Sequence, residues 1–262
     1  MKSLIVTADD YAMSDAIDEG IVDLMVRGRV SATSCMTLSP RWPQAAARLR
    51  PLVQQGCQLG LHLDLTEFAS PKWPLARLIL TAYARGLDAT ELRRTVNDQL
   101  DRFEAALGQA PNYVDGHQHV HQLPQVRQAL VAVLVDRYGE GALPWLRVSD
   151  PGMGQGWKGG VIALLGSAAL RRLAQQHGLV STHRLLGVYD FQGDAAQYLR
   201  RLARWLPQVA SARTALMCHP AAFLDASDPL GAARYAEYQA LGGDGFAALL
   251  AREHVSVATL LA

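Results

Sequence analysis

The sequence predicts an α/β fold, a regular or distorted (β/α) TIM-like barrel with mostly parallel strands. Three observations point there. Short apolar runs alternate with longer segments of helical period. Seven or eight such alternations fit within 262 residues, the size range of that barrel. Aspartates and histidines recur where the predicted strands end, and a parallel barrel gathers its chemistry on that rim.

Leu4 to Val6 reads as the first strand, followed by a polar loop and a helix over Asp15 to Arg27. Ala32 to Leu38 reads as the second, stopped by Pro40 and Pro43 before a helix over Gln44 to Gln55. Gln58 to Leu63 is the third, and a linker containing Pro71 and Pro74 follows. Asp88 to Leu107 is the clearest helix: Leu92, Val96, Leu100, Phe103 and Leu107 form one apolar stripe, ended by Gly108 and Pro111. Asn112 to Val114 is the next strand, then a histidine run, then a helix from near Pro124. Pro144 to Val148, Leu185 to Tyr189, Thr214 to Cys218 and Val255 to Leu260 are further strand candidates. No composition break marks a domain boundary, so residues 1–262 read as a single domain. The glycine-rich stretch Gly152 to Gly160 lacks the spacing of a phosphate-binding loop and reads as a surface loop over the site.

Half the residues are hydrophobic, 19% are charged, and the formal net charge is +1. This composition argues against extensive disorder and gives no electrostatic reason to expect nucleic acid or an anionic membrane as partner. Cys35, Cys57 and Cys218 are widely spaced and odd in number, a reducing-compartment pattern. The N-terminus reaches Asp9 and Asp10 before an apolar signal segment can form, and no stretch is long enough for a membrane span. The expectation is a cytoplasmic globular protein, with a homodimer one option for its assembly.

Asp115-Gly116-His117-Gln118-His119-Val120-His121 places three of the eight histidines and a carboxylate in seven residues just after a strand. Imidazole is the commonest protein metal ligand. Asp9 and Asp10 follow the first strand; both reach one site only if the chain turns there, and a helix cap is the alternative. His62 is a polar residue inside an apolar run, and His219 ends a strand before Pro220; each alone also fits a satisfied core histidine. A Cys218–His219 nucleophilic dyad is disfavoured because adjacent strand residues face opposite ways. Arg147 suits a substrate oxygen, a site carboxylate or a surface ion pair, and Glu67 a loop cap. Together the rim residues describe metal-assisted hydrolysis, with a divalent ion held by an aspartate and two histidines and a carboxylate free to act as base.

Four motifs in order, Thr7-Ala8-Asp9-Asp10-Tyr11, Gly60-Leu61-His62-Leu63 with Leu65-Thr66-Glu67, Asp115 to His121, and Met217-Cys218-His219-Pro220, resemble the YdjC-like carbohydrate deacetylases. The likeness runs from residue 4 to about residue 260. It implies a distorted (β/α) barrel that hydrolyses N-acetyl groups from amino sugars, using one divalent ion, magnesium or zinc. It also implies Asp10, His62 and His117 as metal ligands, Asp9 as general base, and His219 as acid or carbonyl stabiliser. Tyr11-Ala12 stands where Phe-Gly is usual, which can reshape the loop after Asp10. Asp115, His119 and His121 are then expected to orient ligands or line the sugar pocket, Asp115 holding one of those two imidazoles, with Arg147 and Glu67 nearby. Two other readings stay open: a phosphoesterase using His119 and His121 in a multi-metal centre, and a non-catalytic sugar-binding barrel.

Overall fold

The computed structural model describes residues 2–139, 141–150, 165–210 and 213–259. Among these residues, eight parallel strands form one sheet: β1 (Lys2–Tyr11), β2 (Ala32–Cys35), β3 (Gln58–Leu63), β4 (Tyr113–Gly116), β5 (Trp145–Leu146), β6 (Arg184–Leu186), β7 (Thr214–Cys218) and β8 (Val255–Val257). The order is β5-β4-β3-β2-β1-β7-β6, with β8 alongside the start of β1. The two edges of that path meet through one short stretch. Leu146 N donates to Val180 O (2.9 Å) and Thr182 N donates to Leu146 O (3.0 Å), while β6, two residues on, pairs with β7. The sheet therefore curls back on itself as a distorted barrel, as the alternation pattern predicts.

Nine α-helices among the described residues cover it: α1 (Asp15–Val26), α2 (Trp42–Gln54), α3 (Leu75–Tyr83), α4 (Ala89–Leu107), α5 (Val126–Tyr138), α6 (Ser167–Gln176), α7 (Ala195–Trp205), α8 (Gly231–Gly242) and α9 (Asp244–Arg252). Two carry clear local boundary signals. The Asp88 carboxylate accepts from Thr90 N and Glu91 N to start α4, and Gly108 ends it in the left-handed conformation. In α7, Asp194 and Gln197 form a reciprocal capping box. No helix among the described residues is long and apolar enough to cross a membrane.

Several expected bounds shift. The second strand stops at Cys35, and the sixth is cut short by Gly187, whose φ is +98°. The predicted linker after Pro74 holds α3, an apolar-rich segment of which only Leu78 and Ala82 are buried. The stretch 152–160, read as a surface loop, lies outside the described residues.

Inside the barrel, Tyr113 and Trp145 stack with centroids 4.4 Å apart, above Ile5 and Ala32. Gly60 makes room for them: a Cβ there would sit 2.5 Å from the Tyr113 ring. That packed floor leaves only the rim of the barrel for chemistry.

Candidate active site and metal centre

Strand alternation decides which side chains enter the rim. In β1, Leu4, Val6 and Ala8 join the core under the helices, whereas Ile5 belongs to the interior cluster. Thr7 and Asp9 share the parity of Ile5 and point inward. The same parity sends in Ser34, His62 between outward Leu61 and Leu63, and Asp115 beside outward Val114. It also sends in Arg147 after outward Leu146, and His219 after outward Cys218. Asp10 would face out, but β1 slips register against β2 between Ala8 and Tyr11, and Asp10 takes a φ of +69°. This bulge brings both aspartates to one site.

Arg147 is fully buried at the centre. Its Nη1 donates to Thr7 Oγ1 (2.7 Å) and Asp9 Oδ1 (2.5 Å), and its Nη2 to Asp9 Oδ2 (2.6 Å). Nη2 also pairs with Asp115 Oδ2 at 2.9 Å. The other Asp115 oxygen accepts from His62 Nδ1 (2.6 Å). His62 Nε2 is thereby left facing Asp10 Oδ1 at 3.3 Å, and His117 Nδ1 lies 2.9 Å from the same oxygen. The second Asp10 oxygen accepts from Arg234 Nη2 (2.7 Å), and the Arg234 Nε pairs with Asp228 at 2.7 Å.

Among the described residues, two groups of donors converge closely enough for an ion: Asp10, His62 and His117, and Asp9, His62 and Asp115. The second is occupied by a cation already, since Arg147 bridges Asp9 and Asp115. The first fits a divalent ion. Ligands about 2.1 Å from a common ion stand roughly 3.0–3.4 Å apart. The Asp10–His62 separation of 3.3 Å falls in that range, and the Asp10–His117 separation of 2.9 Å lies just below it. The Asp115 hydrogen bond also fixes the His62 tautomer that presents a lone pair at Nε2, the usual carboxylate–histidine–metal arrangement.

Asp115 thus holds His62, whereas the sequence led us to expect it on His119 or His121. His121 is fully buried, and its Nε2 donates to Arg147 O (2.9 Å); His119 Nδ1 shares a hydrogen bond with Ser149 Oγ (2.9 Å). Neither joins a donor cluster among the described residues, so the multi-metal arrangement of the phosphoesterase reading is not formed there. Arg147 reaches no surface. Glu67 sits away from the cavity, accepting from Lys72 Nζ (3.3 Å). Asp64, given no role from the sequence, caps its loop: its carboxylate accepts from the backbone N–H of Thr66, Glu67, Phe68 and Ala69 at 2.6–3.1 Å.

Burial acts to raise the Asp9 pKa, but Arg147, then His62 and His219, outweigh it and hold it at about 2. Burial likewise opposes ionisation of Asp10, which Arg234 and His117 keep well below the usual carboxylate range. For His62, burial favours the neutral ring, yet Asp115, Asp10 and Asp9 raise it to about 10. Burial brings His219 down to about 4 against the pull of Asp9 and Asp10. Its Nε2 stands 3.9 Å from Asp9 Oδ2. Cys218 is no nucleophile here: burial pushes its thiol well up, and its Sγ faces Thr7 O.

These groups open on a cavity of about 280 Å³ whose far wall includes Val188, Tyr189, Phe191 and Leu230. Phe191 meets the His219 ring edge-on at 5.2 Å. Glu237, raised to about 7 by burial, accepts from His219 N (2.6 Å) and Tyr189 Oη (2.7 Å). Arg234 and Glu237 escaped the sequence reading. The available signal was two charges one turn apart on a helix whose neighbouring face, Ala233, Ala236, Ala240 and Leu241, is buried and apolar.

The fold and rim define a class: a parallel (β/α) barrel with an Asp–His–His donor cluster beside a second, ionised carboxylate. Residues 3–252 match the YdjC-like protein family, and the chain belongs to it. It is 31% identical over 237 residues to a chitooligosaccharide deacetylase of Serratia marcescens, covering 86% of this chain and 84% of that protein. A match to a human carbohydrate deacetylase, 33% identical, spans 50% of this chain and 45% of the human protein. Among solved structures, a candidate cellobiose-phosphate cleavage protein of Enterococcus faecalis shares the fold, with a TM-score of 0.74 at 20% identity over 98% of this chain and 97% of that one.

Proposed function

We propose that the chain is a metal-dependent carbohydrate deacetylase that hydrolyses the N-acetyl group of an amino sugar. The observation that carries this reading is the convergence of Asp10, His62 and His117 on one point beside Asp9 and His219, in one cavity. Asp10, His62 and His117 would hold one divalent ion. Two imidazoles and a carboxylate favour zinc or another transition metal over magnesium. Such an ion lowers the pKa of water toward neutrality and polarises a carbonyl.

The chain's own residues supply the rest. Arg147 keeps Asp9 ionised, so Asp9 is ready to take a proton from the attacking water. A carboxylate with so low a pKa is a weak base, which suits a water already acidified. His219 starts neutral, so it can protonate the departing amine only after it has received a proton. The Asp9 carboxylate, 3.9 Å away, is the donor in reach once it has taken one up. Asp115 orients His62, Arg234 orients Asp10, and Glu237 fixes the backbone of His219. The apolar wall of Val188, Tyr189 and Phe191 suits an acetyl methyl and the C–H face of a pyranose. Cys35 and Cys218 are buried free thiols, which supports a reducing, cytoplasmic location.

Acetate release from N,N′-diacetylchitobiose, measured on chelator-stripped protein reloaded with magnesium, zinc, manganese, cobalt or nickel, tests the reading. We expect turnover with at least one transition metal and none in the stripped protein. No acetate from that sugar or from a broader panel of N-acetylated sugars, under any metal, would rule the activity out.

A further inference from the structure

We propose that His119 is a catalytic residue, whose Nε2–H donates a hydrogen bond to the acetyl carbonyl oxygen as negative charge builds there. The proposal rests on the deacetylase reading and adds a donor which that reading leaves unassigned. His119 follows β4 and lines the catalytic cavity, half-buried, across the rim from His219 at the end of β7.

The imidazole is held and aimed. Gln118 and His119 are consecutive left-handed residues (φ +51° and +61°), a conformation that non-glycine residues keep only where the surrounding structure fixes it. His119 Nδ1 lies 2.9 Å from the hydroxyl of Ser149, two residues beyond Arg147. Ser149 is fully buried, and its backbone N donates to Gln122 Oε1 (2.9 Å). The hydroxyl has no other partner among the described residues, so against a neutral ring its hydrogen goes to Nδ1 and the ring proton sits on Nε2. In a charged ring both nitrogens are protonated, so Nε2 carries a hydrogen in either state. Nε2 has no protein partner among the described residues, and unlike Nδ1 of His121 and of His219 it is not enclosed.

The other polar groups of the cavity are committed. Asp10, His62 and His117 form the donor cluster, and Arg234 is tied to Asp10 and Asp228. Gln118, beside His119, is exposed. When water attacks the acetyl carbon, that carbon carries four groups: the new hydroxyl, the amine, the methyl and the former carbonyl oxygen. Asp9 takes the proton of the attacking water, His219 faces the amine, and Val188 and Phe191 suit the methyl. The C=O electron pair moves onto the oxygen, and the side-chain donor left to meet it is His119, which keeps its proton throughout. As C=O re-forms and the C–N bond breaks, the amine leaves with the proton that Asp9 passes to His219. A hydrogen bond to an oxygen that gains its charge only in the transition state raises kcat rather than ground-state affinity.

The test is steady-state acetate release from diacetylchitobiose by the full, zinc-loaded chain. Calorimetry accompanies it, with zinc and with a methylphosphonamidate analogue of N-acetylglucosamine, whose charged P–O oxygen stands in for the reacting one. His119→Phe should lower kcat roughly 100–1,000-fold with KM little changed, and weaken the phosphonamidate by a similar factor. Zinc affinity should stay the same, since His119 is no ligand. His119→Gln, which keeps an N–H donor, should recover part of the rate. Ser149→Ala should lower kcat roughly two- to tenfold, and it carries the test if His119→Phe fails to fold. An unchanged kcat in the variant that carries the test, or a loss that falls on KM or on zinc affinity instead, overturns the role. Phosphonamidate binding that depends on His119 in a wild type that releases no acetate would keep the donor and overturn the deacetylase reading. Acetate release with binding that ignores His119 would do the reverse.

Discussion

Replacing Arg147 with methionine removes the guanidinium that bridges two buried carboxylates, Asp9 and Asp115. The guanidinium is fully buried, donates to Thr7 and to both oxygens of Asp9, and pairs with Asp115. Methionine approximates its stem and supplies none of its charge. Removing one partner of a buried ion pair costs about 3–5 kcal/mol, because the other charge is left uncompensated. For a chain of this length that corresponds to a melting temperature lower by roughly 6–20 °C. The pH dependence should identify the cause. In the wild type, Asp9 at about 2 lies below its unfolded value of 3.8, so its ionisation stabilises the fold at neutral pH. That contribution is lost as pH falls from about 4 through 2. In the variant, burial dominates and the Asp9 pKa rises above 3.8, so ionisation now destabilises at neutral pH. The gap between the two proteins should therefore narrow on acidification from pH 7 toward pH 4. Chemical denaturation of metal-free protein at several pH values measures it, with Arg147→Lys falling between, since an ammonium keeps the charge but not the fork. A gap below about 1 kcal/mol at pH 7, or one that does not change with pH, would refute the reasoning.

Loading the ion should displace the proton that His62 carries in the metal-free site, because Asp115, Asp10 and Asp9 hold that ring at about 10. Apparent metal affinity should rise between pH 6 and pH 9, with proton release seen as a buffer-dependent heat; a flat profile contradicts this. Gly60→Ala should destabilise by about 1–3 kcal/mol, since its Cβ would stand 2.5 Å from the Tyr113 ring at the barrel floor. Thermal melts check it, and an unchanged melting temperature would show that the floor can give way.

Most of the fold was legible because burial on the helix side of each strand leaves a run of apolar residues, as in Leu59, Leu61 and Leu63. The short strands were harder. Strands are expected over 144–148 and 185–189, but the observed Trp145–Leu146 and Arg184–Leu186 take their ends from their neighbours' hydrogen bonds, which no local pattern encodes. The rim residues were visible as polar positions at strand ends, and Asp9, Asp10, His62, His117 and His219 do come together in one cavity. What stayed hidden was pairing across the barrel. Asp115 meets His62 from 53 positions away and Arg147 meets Asp9 from 138 positions away. Proximity along the chain instead suggested that Asp115 would serve its neighbours His119 and His121. Arg234 was invisible for the same reason, since a charge on a helix reads as solvated until the fold buries it against Asp10.

The most direct test is an anomalous-diffraction map of crystals grown with zinc or cobalt. One peak coordinated by Asp10, His62 and His117, with Asp9 still bound to Arg147, is the predicted result. A peak between Asp9 and Asp115, or a second ion on His119 and His121, would contradict the account.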